Sequence, residues 1–117
     1  MELVALLSTG KGSWGQVAGL VKKGEWQKVI IVGASFARDF NIHGESFDFI
    51  EFDQNKSLKQ LKKELEKKLE GRLEEMEVAV SIASGNGKEH MALLSALLSL
   101  PVGIRFTALT KDGIIMI

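Results

Sequence analysis

Two glycine-rich segments, each with a lysine, lie between a short apolar run and a stretch of helical periodicity. Residues 8–15 (Ser-Thr-Gly-Lys-Gly-Ser-Trp-Gly) follow the run 3–7, and residues 84–88 (Ser-Gly-Asn-Gly-Lys) follow the run 78–83. A continuous apolar run of this length is typical of a strand that is buried on both faces of a parallel sheet. Because parallel strands need long crossover connections, the order strand, glycine loop, helix indicates an α/β fold.

The pattern of the remaining segments predicts the other elements. One helix starts after Ser13 as its N-cap and stops at Gly24, and segment 34–44 is either a helical turn or a packed loop. Ser57 begins a second helix, and Gln60 completes a capping box with it. The leucine stripe of this helix, at 58, 61, 65, 69 and 73, is expected to lie in the core. The predicted strands are 3–7, 28–32, 46–52, 78–83, 102–109 and 114–117, and a third, nearly all-apolar helix spans 89–100 and ends at Pro101.

These elements predict one domain, residues 1–117, with a Rossmann-like α/β architecture. The expected sheet has about six strands and is mostly parallel, with helices on both faces because the crossovers are right-handed. Asp112-Gly113 is a turn signal, so the last two strands are expected to form a C-terminal β-hairpin. In such a sheet, loops after strands one and four flank the point where the strand order reverses, which is where ligands bind.

The composition excludes several classes of function. Fifteen basic and fifteen acidic residues give a net charge of zero, which argues against general nucleic-acid binding. No cysteine is present, so disulfides and thiolate metal sites are excluded. No carboxylate cluster indicates a metal, and no cofactor is expected. No apolar run is long enough to cross a membrane and no basic segment precedes the first strand, so a cytoplasmic protein is expected.

The two loops predict a site for a phosphorylated or otherwise anionic ligand. Glycines let a ligand approach the backbone, helix N-termini offer N–H groups to anions, and each lysine adds a positive charge. The glycines at 10, 12 and 15 match the G-x-G-x-x-G dinucleotide pattern, yet no acidic residue follows the second strand before Asp39 to hold a ribose. A nicotinamide or flavin site is therefore a weak alternative, and no Walker A sequence occurs. A tight turn whose glycines are purely steric is the other alternative.

Several single residues keep two interpretations. Lys88 opposes the helix macrodipole at the start of its helix, which suggests a ligand contact, although it would equally fit an exposed side chain. Trp14 could stack on a base or pack in the core. His90 is either a ligand contact or, more simply, a helix-surface histidine. Arg38 and His43 have an R-x4-H spacing that resembles the ribonuclease motif of HEPN domains, but those domains are helical bundles.

Taken together, the two loops and the closing hairpin resemble the CRISPR-associated Rossmann-fold (CARF) domains, which sense cyclic oligoadenylates in antiviral defence. Ser8, Thr9 and Gly10 match the serine- or threonine-containing loop of the family. Lys88 falls on the lysine of its Gly-Gly-Thr-Lys-like segment, although Asn86 and Gly87 replace Gly-Thr. The resemblance implies a two-fold homodimer that binds a cyclic oligonucleotide across its interface.

The resemblance also implies which residues act. The expected ligand-binding residues are Ser8, Thr9, Gly10, Lys11, Gly12, Trp14, Gly85, Asn86, Gly87 and Lys88. Some small members of the family cleave the ring themselves. Such cleavage is possible here without a metal, and Lys88 and Ser8 would then be catalytic; whether this chain is an enzyme stays open. The alternative from another class is a non-enzymatic dimerisation or interaction module, in which the helix beginning near Met91 makes the contact.

Overall fold

The computed structural model describes residues 1–9 and 11–117, without the side chain of Lys11. Its strands are β1 (Glu2–Leu7), β2 (Lys28–Gly33), β3 (Asp48–Glu51), β4 (Glu77–Ser81), β5 (Gly103–Thr110) and β6 (Gly113–Met116). The helices are α1 (Trp14–Lys23), α2 (Leu58–Leu69) and α3 (Gly87–Leu98), and short 3-10 turns span Lys11–Ser13 and Ser35–Asp39.

The six strands form one sheet in the order β3-β2-β1-β4-β5-β6. The first five strands are parallel, and β6 is antiparallel to β5. The predicted α/β class, the mostly parallel sheet and the C-terminal hairpin are therefore confirmed. From β1 the chain continues outward through β2 and β3, and it then returns to build β4 on the other side of β1. The strand order thus reverses between β1 and β4.

Helices cover both faces of the sheet, which explains why β1 is apolar throughout. Alternate residues of β1 point to opposite faces. Those on one face, such as Leu3 and Leu7, belong to the core cluster that includes Val17 and Leu20 of α1. Those on the other face, such as Leu6, belong to the cluster formed with α2 and α3. Since every residue from Leu3 to Leu7 is fully buried, a polar side chain there would need a buried partner.

The second helix shows how local signals set its ends. The capping box predicted at Ser57 is present: the Gln60 N–H donates to the Ser57 hydroxyl, and the Ser57 N–H donates to the Gln60 side chain. Leu61, Leu65 and Leu69 are fully buried as expected. One member of the predicted stripe differs: Leu58, at the start of the helix, is 37% exposed. Leu73 lies beyond the end of the helix, where it is partly buried against the core.

The ends of other elements differ from the sequence prediction by a few residues. The third strand is four residues long, and the ambiguous segment contains the 3-10 turn Ser35–Asp39. In the hairpin the Thr110 hydroxyl donates to the Gly113 carbonyl at 2.8 Å, and Gly113 takes a φ of +112°, which glycine adopts without strain. Among the described residues, no helix is both long and apolar enough to span a bilayer.

Candidate functional site at the carboxyl edge of β1 and β4

The loops that follow β1 and β4 are joined by a buried hydrogen bond. The backbone N–H of Ser8 donates to the hydroxyl oxygen of Ser84 at 2.8 Å, and both residues are 2% exposed. This contact follows from the parallel pairing of β1 with β4, which delivers both loops to the same edge of the sheet. The two loops therefore lie side by side, in contact at Ser8 and Ser84, as their places after β1 and β4 lead us to expect.

Buried polar groups concentrate at this edge. Four of the buried polar residues of the described chain lie at the carboxyl ends of β1 and β4 or at the start of α3: Ser8, Ser81, Ser84 and Glu89. The Ser81 hydroxyl has no hydrogen-bond partner among the described atoms. Burial of a polar group costs free energy unless it is hydrogen-bonded. Ser84 and Glu89 have hydrogen bonds within the fold, so the buried Ser81 hydroxyl is the group at this edge that still requires an explanation.

The loop after β4 is held in one conformation by its own side chains. Asn86 and Glu89 form a reciprocal capping box at the start of α3, with both hydrogen bonds at 2.9 Å. The ring of His90 lies with Nε2 2.9 Å from the Ser84 carbonyl oxygen. Since a carbonyl only accepts, Nε2 carries the proton. His90 thus holds the loop, which favours a structural role for it.

Gly85 is required where it stands. Its φ is +107°, and a Cβ added there would lie 2.4 Å from Cδ2 of Leu6. The same Cβ would come within 3.2 Å of the Glu89 carboxylate. Backbone conformation and packing therefore explain Gly85 without any ligand.

The ammonium group of Lys88 contacts backbone rather than open space. Its Nζ donates to the carbonyl oxygens of Gln54 and Lys56, both at 2.9 Å, and thereby attaches the loop between β3 and α2 to the first turn of α3. The two carbonyls offset the unfavourable charge at this helix N-terminus. An ammonium has three N–H donors, so these bonds leave one for another acceptor. Contact of Lys88 with a ligand stays a prediction.

The loop after β1 contrasts with the loop after β4. Thr9 is exposed, and a Cβ placed on Gly12 or on Gly15 would have no described atom within 4 Å. Gly87, at the first position of α3, is equally open. The expectations for Gly10 and for the Lys11 side chain lie outside the described residues.

Trp14 is fixed against the fold. Its indole N–H donates to the Ser8 carbonyl at 2.8 Å. Its ring stacks on Phe36 with the ring centroids 6.4 Å apart, and it meets Phe40 edge-on at 5.7 Å. These contacts account for the packing interpretation of Trp14, and its hydrogen bond holds the indole beside the loop that follows β1.

The remaining candidates lie apart from this edge or in ordinary ion pairs. His43 is exposed in a turn, and Arg38 pairs with Glu51. No cluster of His, Cys, Asp and Glu that could hold a metal occurs within 1–9 and 11–117.

Sequence reasoning missed two features of the site. The Asn86-x-x-Glu89 spacing is a capping-box signal and would have identified Glu89 as a structural partner of the loop. By contrast, no local signal marks the carbonyls of Gln54 and Lys56 as partners of Lys88, because they lie more than 30 residues away along the chain.

Comparison with known proteins supports the fold and no more. No protein-family model matches the chain, and no curated protein matches it. Among solved structures, it is similar to the crystal structure of protein VC1899 from Vibrio cholerae, with a TM-score of 0.64 and 14% sequence identity. The similarity covers 98% of this chain and 33% of that one, so the chain spans about a third of the length of the Vibrio protein. At this identity, the likeness shows a shared architecture alone.

Proposed function

We propose that the chain is a CARF-like domain that binds a cyclic oligoadenylate or related nucleotide at the carboxyl edge between β1 and β4. The observation that carries the proposal is the joining of two glycine loops at the reversal of strand order, through the Ser8–Ser84 hydrogen bond. In open α/β sheets the ligand crevice lies at this point. Homodimer formation, a cytoplasmic location and a role in antiviral defence belong to the same proposal.

Three glycines at this edge support it. Gly12, Gly15 and Gly87 lie at the starts of helical segments, have no positive φ, and would meet no described atom if they carried a Cβ. Glycine within a helix destabilises it by about 0.5–1 kcal/mol relative to alanine. Neither backbone conformation nor packing against the described chain requires glycine at these positions. Close approach of a ligand to the backbone would explain why glycine occurs at these positions.

The proposed contacts divide among the loops. Thr9 is the exposed hydroxyl, whereas Ser8 is buried and offers its backbone to the neighbouring loop. The third N–H of Lys88 would reach a phosphate oxygen. If the ring is cleaved, a ribose 2′-hydroxyl attacks the adjacent phosphorus, the bond to the 5′-oxygen breaks, and a 2′,3′-cyclic phosphate and a 5′-hydroxyl result. Lys88 would stabilise the charge that develops on the phosphate.

The proposed dimer would use apolar side chains that the fold leaves exposed. These are Met91 and Leu98 of α3, with 58% and 71% exposure, and Ile115, Met116 and Ile117 near the edge strand β6. Apolar side chains that are exposed together in one patch are typical of an interaction surface. They also support the second candidate, an interaction module without a nucleotide ligand.

Calorimetric titration with cyclic tetra-adenylate and cyclic hexa-adenylate tests the proposal, with AMP as the control ligand. The double variant Gly12→Ala/Gly15→Ala is expected to unfold at or above the wild-type temperature while it loses at least about ten-fold in affinity. Gly103→Ala is the matched control, because Gly103 lies at the opposite edge and its Cβ would make only ordinary contacts at 3.6 Å.

The outcomes separate the two candidates. Binding of neither ring by the wild type would reject the nucleotide function, and a dimeric mass by light scattering would then favour the interaction module. If the double variant binds the ring as tightly as the wild type does, the chain has a nucleotide ligand, but the ligand does not bind at this edge. Chromatography of the ligand after incubation shows whether the ring is cleaved.

A further inference from the structure

A cleft lies at the amino edge of the sheet, opposite the proposed nucleotide site. Its walls come from the carboxyl end of α1, the start of β2 and the segment that leads into β3. Its volume is about 310 Å³, which is enough for a small ligand. Trp26 and Phe47 contribute aromatic side chains to it, and Glu45 and Asp48 contribute carboxylates.

The indole of Trp26 is rigidly placed beside this cleft. Its N–H donates to the Leu20 carbonyl at 2.9 Å. The ring lies so close to Gly24 that a Cβ there would be 2.2 Å from the indole nitrogen. The φ of Gly24 is −85°, which any residue adopts. Glycine is therefore needed because a side chain would clash with the indole, and not because of the backbone conformation. An aromatic ring held in this way loses little conformational entropy when a ligand binds against it.

The charges around the cleft favour a cation. Glu45 and Asp48 are exposed, and neither carboxylate has an ion pair or hydrogen bond within the described part of the chain. The lining also contains one ammonium, that of Lys28, which donates to the Arg72 carbonyl at 2.5 Å, so the lining keeps a net negative charge. The carboxyl end of α1, which carries the negative end of the helix dipole, also faces the cleft. Lys22 and Lys23 in the last turn of α1 are exposed and do not line it.

We propose that this cleft binds a small organic cation, with a guanidinium or methylated ammonium group placed between the Trp26 ring and the carboxylates of Glu45 and Asp48. Trp presents the most favourable ring face for a cation, and desolvation in a cleft strengthens the attraction. The site is independent of the nucleotide proposal, because it lies at the other edge of the sheet.

The two tryptophans allow each edge to be observed separately. Both indole N–H groups are hydrogen-bonded within the fold, and Trp14 lies at the carboxyl edge whereas Trp26 lies at the amino edge. A ¹⁵N-labelled chain gives two indole signals, which Trp14→Phe assigns. Titration with choline chloride and with agmatine is expected to shift the Trp26 signal to saturation while the Trp14 signal stays in place, and sodium chloride at equal ionic strength is expected to shift neither.

Matched variants test the carboxylates. Glu45→Gln/Asp48→Asn is expected to weaken binding of the cation by at least about ten-fold. Glu25→Gln removes a carboxylate that is close in sequence but does not line the cleft, and it is expected to bind as the wild type does. Absence of a saturable Trp26 shift with both cations would overturn the proposal, as would an equal shift with sodium chloride or unchanged binding by the double variant.

Discussion

The two glycine loops at the carboxyl edge look alike in sequence but are built in opposite ways. In the loop after β4, Gly85 has a positive φ and presses against Leu6, and a capping box closes the start of α3. In the loop after β1, Gly12 and Gly15 have no positive φ and face open space within the described chain.

The difference shows that glycine occurs in these loops for two different reasons. The fold itself explains Gly85 of the β4 loop, because a side chain there would clash and strain the backbone. It does not explain the glycines of the β1 loop, which lower helix stability without a packing benefit. Gly12 and Gly15 of the β1 loop, together with Gly87 at the start of α3, are therefore the better places to look for ligand contact, whereas Gly85 belongs to a rigid support.

The largest effect is expected for Gly85→Ala. Backbone strain at its positive φ and the clash with Leu6 should together lower the free energy of unfolding by about 2–4 kcal/mol. Gly87→Ala, two residues further along, should leave it unchanged or raise it by up to about 1 kcal/mol. Urea unfolding of both variants measures the difference, and equal stabilities would remove the contrast between packed and open glycines.

Ser84→Ala tests the link between the two loops. The variant leaves the buried N–H of Ser8 without its acceptor, so the free energy of unfolding should fall by about 1–3 kcal/mol. The rate of hydrogen exchange at the Ser8 amide should rise by the factor that corresponds to this loss of free energy. Ser95→Ala, at an exposed position of α3, is the control and should change little. Unchanged protection of the Ser8 amide would show that the loops do not depend on this bond.

Lys88→Ala tests whether this lysine is a support as well as a proposed ligand contact. Loss of its two hydrogen bonds to the Gln54 and Lys56 carbonyls should cost about 1 kcal/mol, partly offset because a cation is removed from a helix N-terminus. The sequence alone predicts the opposite, a small gain in stability, because the unfavourable helix dipole is the only interaction of Lys88 that the sequence reveals. Lys59→Ala, exposed on α2, is the control, and thermal unfolding is the measurement. A Lys88 variant more stable than the wild type would contradict the support role.

The smallest effect concerns Glu64, which holds the same β3–α2 loop from its other side. Burial by itself raises the pKa of Glu64, but hydrogen bonds from Lys56 and from the Asp53 N–H, with the charges of Lys68 and Lys56, outweigh it and lower the pKa from 4.5. A lowered pKa in the folded state means that the stabilisation is complete above the unfolded-state value and is lost as the pH falls through the folded-state pKa.

Glu64→Gln should therefore reduce the free energy of unfolding by up to about 1 kcal/mol near neutral pH, and the difference from the wild type should disappear in acid, below the lowered pKa. Unfolding curves at several pH values measure it, with Glu70→Gln as the exposed control. A difference that persists at low pH would mean that Glu64 does not stabilise the loop through its charge.

Much of this fold could be predicted from local patterns. The apolar runs of β1 and β4, the stripe of α2 and its capping box depend on neighbours within a few residues, and the structure has them as expected. Leu58 and the shorter third strand differ because the ends of elements depend on how far the sheet and helices overlap, which no local pattern specifies.

The sequence by itself determined the α/β class, the order of elements and the edge at which the two loops meet, because strand and helix periodicities and the chirality of crossovers are local properties. Only the tertiary structure decided which glycines are needed and where the lysine points. The clash of Gly85 with Leu6 and the contact of Lys88 with Gln54 join residues far apart in the chain. Such contacts depend on the packing of whole elements against one another, and that packing is not encoded in any short segment.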